Sequence, residues 1–404
     1  MKQYLQRVVL YAVLVSAIIV IATIAIYTTA AVPDKSELLL RFKQNVSEAE
    51  KQELSDAHGI VIKGELPEIN VLFVSAPGDA LPTIFSNPHI EFVEENQKCY
   101  PLMIPDDTYY GSQWHLDKIG APEAWDITTG NPSVIIAILD TGVDTDHPDL
   151  EDNIFHGRNL WKDYPGNIED VHGHGTATAG TAAAVMNNGI GVASIAGNCR
   201  LMPIRVSGPS GWSNTFVLSE ALIFAAKGKA RVASISYDVR GAQALSYAAK
   251  YFRDQGGLVF CGGGNYNIEW SDGPNPYVIS VSGTTQSDIA STTYGPYIDL
   301  SAPVSVYTTK RGGGYGSAGG TSFSTPLAAG VAALMFSVNP ALTPDEAETI
   351  LFSTADDLGD PGYDIHYGWG RINASRAVLA AKTSIAVVKP HPTYPPHPTP
   401  KLKS

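Results

Sequence analysis

Along residues 134–281 short apolar runs alternate with longer amphipathic stretches. Val134 to Leu139, Leu201 to Val206, Arg231 to Ser236, Gly257 to Phe260 and Val278 to Val281 read as strands. Gly175 to Val185, Phe216 to Lys227 and Ala244 to Arg253, set between them, read as helices. This alternation predicts an α/β fold: a mostly parallel sheet with helices on both faces. Ligands of such sheets bind beyond the carboxyl ends of the strands, where Asp140 and Asn265 fall.

Residues 36–97 carry a different pattern. Leu38 to Phe42 is a strand, Ser47 to His58 a polar helix with Ser47 as its cap, and Ile60 to Ile62 and Val71 to Val74 are further strands. Asp79 to Phe85 is a second helix and Ile90 to Glu94 a last strand. The order is β-α-β-β-α-β, a small α+β unit. Tyr100 to Asp106, with Pro101 and Pro105, has no periodicity and reads as a linker. A larger domain spans 106–384. The segment 389–404, with Pro at 390, 392, 395, 396, 398 and 400, predicts an extended polyproline-like tail.

The chain opens differently again. Lys2 and Arg7 precede an uncharged apolar run from Val8 to Ile26, followed by Thr28-Thr29-Ala30-Ala31. Residues 1–31 therefore read as an export segment. The run exceeds the ~7–15 residues of a typical cleaved signal and approaches the ~20 of a membrane span, so a cleaved signal and a signal anchor both stay open. Membrane contact is expected through this segment only.

With 404 residues and 44% hydrophobic composition, the chain can bury at least one large core. A net charge of −13 argues against nucleic acid as a partner, which would require a clustered basic face. Acidic residues also suit oxygen-seeking cations such as calcium.

Three islands carry chemistry. Asp140 closes an apolar strand and leads into Thr141-Gly142. His174 stands in His172-Gly173-His174-Gly175-Thr176, where small residues leave room around the imidazole and an Ala-rich helix begins. Ser322 stands in Gly319-Gly320-Thr321-Ser322 at a helix start, with Pro326 tolerated in the opening turn. An acid, a base and a hydroxyl are what nucleophilic acyl transfer requires. Singly, each residue reads as readily as a cap or a surface group.

Asp140-Thr141-Gly142-Val143-Asp144 with His147-Pro148-Asp149-Leu150, His174-Gly175-Thr176 with Ala179-Gly180-Thr181, and Gly320-Thr321-Ser322 with Pro326 together resemble the subtilisin-like serine peptidases. The resemblance runs from about Asp107 to about Ala381. It implies a serine endopeptidase with Asp140, His174 and Ser322 as the triad, acting on protein or peptide substrates. Cys261-Gly262-Gly263-Gly264-Asn265 resembles the family segment presenting the oxyanion asparagine, here Asn265.

Other implications follow from the same likeness. The substrate strand usually reads Ser-Leu-Gly and here reads Ser236-Tyr237-Asp238, with Gly264 as a further expected substrate-binding residue. The acidic departure at Asp238 offers a partner to basic substrate residues. Met186-Asn187-Asn188-Gly189-Ile190-Gly191-Val192 resembles the loop that ligates a structural calcium, through Met186, Asn188, Ile190 and Val192 with Asp149 and Asp107. The small N-terminal unit looks like the family's ferredoxin-like propeptides, which inhibit the enzyme intramolecularly until removed; a permanent accessory domain is the alternative. A secreted, self-processing monomer is expected. Of Cys99, Cys199 and Cys261, the last two would lie near opposite ends of a parallel sheet, so no disulfide is expected in the mature domain. A catalytically inactive peptide-binding scaffold and the acid-acting Ser-Glu-Asp peptidases are the competing readings. The intact catalytic positions oppose the first, and His174 with Asn265 the second.

Overall fold

A computed structural model describes residues 35–96, 103–162 and 165–384. The export segment 1–31, Cys99, linker residues 100–102 and the tail 389–404 lie outside the described residues. The chain divides after Pro101 into two units.

The first unit runs β1 (Lys35–Phe42), α1 (Glu48–His58), β2 (Val61–Leu66), β3 (Val71–Pro77), α2 (Leu81–Phe85) and β4 (Ile90–Glu95). Its strands form one antiparallel sheet in the order β2-β3-β1-β4. The start of α1 is fixed by a reciprocal cap: Ser47 accepts from the Glu50 amide while Glu50 Oε2 accepts from the Ser47 amide at 2.8 Å. Gly59, in left-handed backbone, ends the helix. Leu38, Leu40, Phe42, Val74, Ile84 and Ile90 form the core under one face. The helix expected from Asp79 is shorter, because a 3₁₀ turn at Gly78–Ala80 precedes it.

The second unit begins with two short helices, α3 (Trp114–Lys118) and α4 (Ala121–Trp125). It then runs β5 (Ile135–Asp140), β6 (Arg158–Asn159), α5 (His174–Ala183), β7 (Arg200–Arg205), α6 (Thr215–Lys227), β8 (Val232–Ile235), α7 (Gln243–Asp254), β9 (Leu258–Gly262), β10 (Ile279–Thr284) and β11 (Leu300–Pro303). A hairpin of β12 (Ser305–Lys310) and β13 (Gly314–Gly319) follows, then α8 (Thr321–Val338), α9 (Pro344–Thr354) and α10 (Ala374–Thr383).

The seven-stranded sheet has the order β11-β10-β9-β8-β5-β7-β6, with every pairing parallel. Alternation along β5 shows why it is central. Ile136 and Ile138 pack into the core formed with α5 and α8, whereas Ile135, Ala137 and Leu139 pack into the core formed with α6 and α7. A strand buried on both faces must be apolar throughout, hence the unbroken run before Asp140. The chain goes from β5 to β7 on one side and returns to β8 on the other. Asp140 therefore ends the strand at the topological switch point, where such sheets open a crevice.

Candidate active site

Asp140 is only 1% exposed, yet both its oxygens are occupied. Oδ1 accepts from the Thr141 amide at 2.8 Å and lies 2.7 Å from His174 Nδ1, and Oδ2 accepts from Thr178 Oγ1 at 3.2 Å. His174 opens α5, so the same helix supplies the imidazole and, one turn later, the hydroxyl that orients its carboxylate partner. With Nδ1 facing Asp140, Nε2 is the nitrogen left for proton transfer.

The helix reaches this position because Gly175 has no side chain. A Cβ there would stand 2.0 Å from the carbonyl oxygen of Gly142, in the loop that leaves β5. The small residues around His174 thus permit helix and loop to touch, which is their structural reason.

Asp170 is fully buried beneath this contact. One oxygen accepts from Thr141 Oγ1 at 2.8 Å and from the amides of His172 and Gly173, and the other from the amide and hydroxyl of Thr176. Burial alone would raise its pKa, but the hydrogen bonds from Gly173, Thr176 and His172 outweigh burial and hold it below the usual carboxylate range. His174 is shifted the other way. The Asp140 charge raises its pKa most, desolvation opposes, and the Asp140 hydrogen bond and the Asp170 charge add to the rise. Its pKa therefore lies above the ordinary histidine value.

Ser322 is the second residue of α8, and Phe323 beside it sets its ring 5.8 Å from that of His174. Asn265 lies just beyond β9. Its Oδ1 accepts from the Thr321 amide at 2.9 Å and from Thr321 Oγ1 at 3.2 Å. An N–H can donate only to the oxygen, so the carboxamide is fixed with Nδ2 turned outward on an exposed residue. The first-turn amides of α8, Ser322 among them, lack helical acceptors by construction. Pro326 lies a full turn inside α8 rather than in its opening turn. A donor is therefore lost, and the carbonyl of Ser322 accepts from Ser236 Oγ at 2.9 Å instead.

Ser236, Tyr237 and Asp238 follow directly on β8, and Gly264, with φ +103°, precedes Asn265. Asp238 is already paired. Its Oδ1 accepts from Arg240 Nε at 2.8 Å, and its Oδ2 makes a short contact with Arg240 Nη2. The hydrogen bond from Arg240 lowers its pKa against burial. The carboxylate that the sequence offers to a basic substrate is thus satisfied from within the chain.

In the expected calcium loop, Asp149 is fully buried. It accepts from Asn188 Nδ2 and the Val192 amide, both at 2.8 Å. Asp107, 4% exposed, accepts from the Asn187 amide through Oδ2, while Oδ1 is buried with no partner. Burial raises its pKa. An orphaned buried carboxylate oxygen is what a cation would satisfy, so the donors fit a hard ion. Among the described residues no three His, Cys, Asp or Glu side chains cluster so as to hold a metal ion. Cys199 and Cys261 are free, and burial pushes the Cys261 thiol up to about 12.

Sequence reasoning missed Asp170, Thr141, Thr178 and Arg240. The one available signal was Asp170, two residues before His172 in an otherwise small and polar segment.

Comparison with known proteins places this geometry. The subtilase family model, Peptidase S8, matches residues 131–370. A thermophilic serine proteinase of Bacillus sp. strain AK1 is 32% identical over 356 residues, covering 85% of this chain and 87% of its own. Thermitase of Thermoactinomyces vulgaris is 36% identical over 281 residues, covering 68% of this chain and 99% of its own. Among solved structures, a protease from Pseudoalteromonas arctica PAMC 21717 superposes with a TM-score of 0.61 at 29% identity. It covers 69% of this chain and all of its own.

Proposed function

Given that the chain belongs to the subtilase family and is a serine-type endopeptidase, we propose that Asp140, His174 and Ser322 cleave the peptide bond, with Asn265 binding the oxyanion. The observation that carries this reading is the 2.7 Å contact of buried Asp140 with His174 Nδ1. It leaves Nε2 to take the proton of Ser322 Oγ as that oxygen bonds to the scissile carbon. Negative charge then grows on the carbonyl oxygen, within the province of Asn265 Nδ2 and the Ser322 amide. His174 returns the proton to the leaving amine as the C–N bond breaks. Water, deprotonated by the same imidazole, releases the acyl group and restores Ser322. Asp140 stabilises the imidazolium at each proton transfer.

Residues 36–97 act as the inhibitory propeptide and residues 1–31 direct export, so that the mature extracellular enzyme is the domain 106–384. The β-α-β-β-α-β order and the antiparallel sheet of the first unit support its ferredoxin-like assignment. Asp107, Asp149, Met186, Asn188, Ile190 and Val192 would hold calcium, which would supply stability and no chemistry.

The test is reaction with a serine-directed fluorophosphonate, with casein hydrolysis and N-terminal sequencing of the product. Wild type should label, hydrolyse casein and shed its first unit. Ser322→Ala should do none of these. Equal labelling and equal processing of the two proteins would overturn the assignment.

A further inference from the structure

We propose that Arg240 selects the substrate side chain next to the scissile carbonyl, favouring one that ends in a carboxylate over one that ends in an ammonium. This rests on the peptidase reading, since it uses the placement of Ser322 and Asn265. A carbonyl attacked by Ser322 and held by Asn265 brings its own residue beside the segment preceding Asn265. There the bare backbone of Gly264 packs closely against Thr293, whose Oγ1 would stand 2.8 Å from a Cβ on it, and Arg240 Nη2 would stand 3.8 Å from the same point. The guanidinium therefore lies next to the backbone beside which that substrate residue would sit.

It is also held rigidly. Asp238 takes Nε and Nη2, Trp270 lies 3.8 Å from Cζ to its ring centroid, and the Tyr297 ring is at 5.1 Å. The side chain is 9% exposed, whereas that of Asp238 is 48% exposed. Nη1 is buried without a hydrogen-bond partner. Arg240 lines two small cavities. One, of about 40 Å³, includes Asp272, Ser280 and Tyr297, and the other, of about 150 Å³, includes Tyr237 and Asp238.

Both oxygens of Asp238 already accept from Arg240, so the buried donor that still needs an acceptor belongs to the cation. A substrate carboxylate supplies that acceptor. An ammonium would face a fixed, desolvated guanidinium.

The experiment compares peptides with a chromogenic amide leaving group, identical except for Glu, Gln, Phe or Lys before the cleaved bond. The ratio of kcat/KM for Glu over Lys is read within each variant, which cancels differences in active enzyme. Wild type should favour Glu by about tenfold or more. Arg240→Gln should lower that ratio at least about tenfold. Asp238→Asn, which keeps the guanidinium but removes its counter-charge, should raise it, and decides the matter if Arg240→Gln fails to fold. A wild-type ratio at or below one, or a ratio unmoved in both variants, overturns the proposal. Absence of both fluorophosphonate labelling and hydrolysis of every peptide would instead overturn the peptidase reading beneath it.

Discussion

Ser236 Oγ donates a 2.9 Å hydrogen bond to the carbonyl of Ser322, the carbonyl that Pro326 leaves without its helical donor four residues on. One hydroxyl thereby ties the segment that follows β8 to the first turn of α8. Ser236→Ala should leave that carbonyl unpartnered and cost about 1–3 kcal/mol. Pro326→Ala restores an amide at the position that lacks one, so the double variant should recover much of the loss. Thermal melting of the four proteins measures the coupling. Strictly additive losses would show that the hydroxyl does not compensate for the proline.

The rate should fall on the acid side as His174 takes up a proton, because only the neutral imidazole can accept one from Ser322. Asp140 and Asp170 both raise the pKa of His174, so the acid limb of kcat/KM should have its midpoint above the ~6.5 of an ordinary histidine. Asp170→Asn should shift that midpoint downward, even though Asp170 does not hydrogen-bond the ring. The same variant should lose about 2–3 kcal/mol at neutral pH, because five donors converge on the carboxylate. The sign of the pH dependence follows from its lowered pKa. Its stabilisation is complete above the unfolded carboxylate value and is lost as pH falls through the lower folded one, so wild type and variant should converge in strong acid. A midpoint identical in the two proteins would remove Asp170 from the electrostatics of the site.

Asn265→Asp isolates the oxyanion contribution better than alanine does. The aspartate keeps an oxygen for the Thr321 amide, so the start of α8 stays tied, while the outward donor becomes an acceptor carrying charge. Turnover should fall by at least about 10²–10³-fold, the magnitude found for subtilisin's own oxyanion asparagine, with KM changed far less. If KM carries the loss and kcat is preserved, Asn265 contributes ground-state binding and the oxyanion role fails.

What was legible in the chain was whatever local backbone demands. Asp140 was visible because a doubly buried strand must be apolar until it ends. The starts of α5 and α8 were visible because glycines and small residues stand where backbones meet. Asp170 was not, since an acid in a polar stretch looks like a solvated loop until Thr141 and Thr176 are folded onto it. The β12-β13 hairpin escaped notice for a related reason. Its second strand, Gly314–Gly319, is half glycine and has no fully buried residue, with no apolar alternation to betray it. Arg240 lies two residues past Asp238, yet nothing in their spacing reveals that the pair closes on Trp270, thirty residues further along.

Calcium is tested through the Asp107 carboxylate, whose Oδ1 has no partner. Asp107 Oδ1 is buried and unpaired, and burial raises its pKa, so without a cation the ionised form opposes folding. A bound ion would reverse that sign. Calcium at 100 times its Kd should add about 2.7 kcal/mol to the stability of wild type, and chelation should remove it. Asp107→Asn separates the two regimes: in chelator it should be as stable as wild type or more so, because a buried charge is gone, while in calcium it should gain much less. Differential scanning calorimetry in each condition reads both arms. If wild type and Asp107→Asn respond alike to calcium, the ion binds elsewhere, and if neither responds, the loop is held by the hydrogen bonds of Asp149 to Asn188 and Val192 without it.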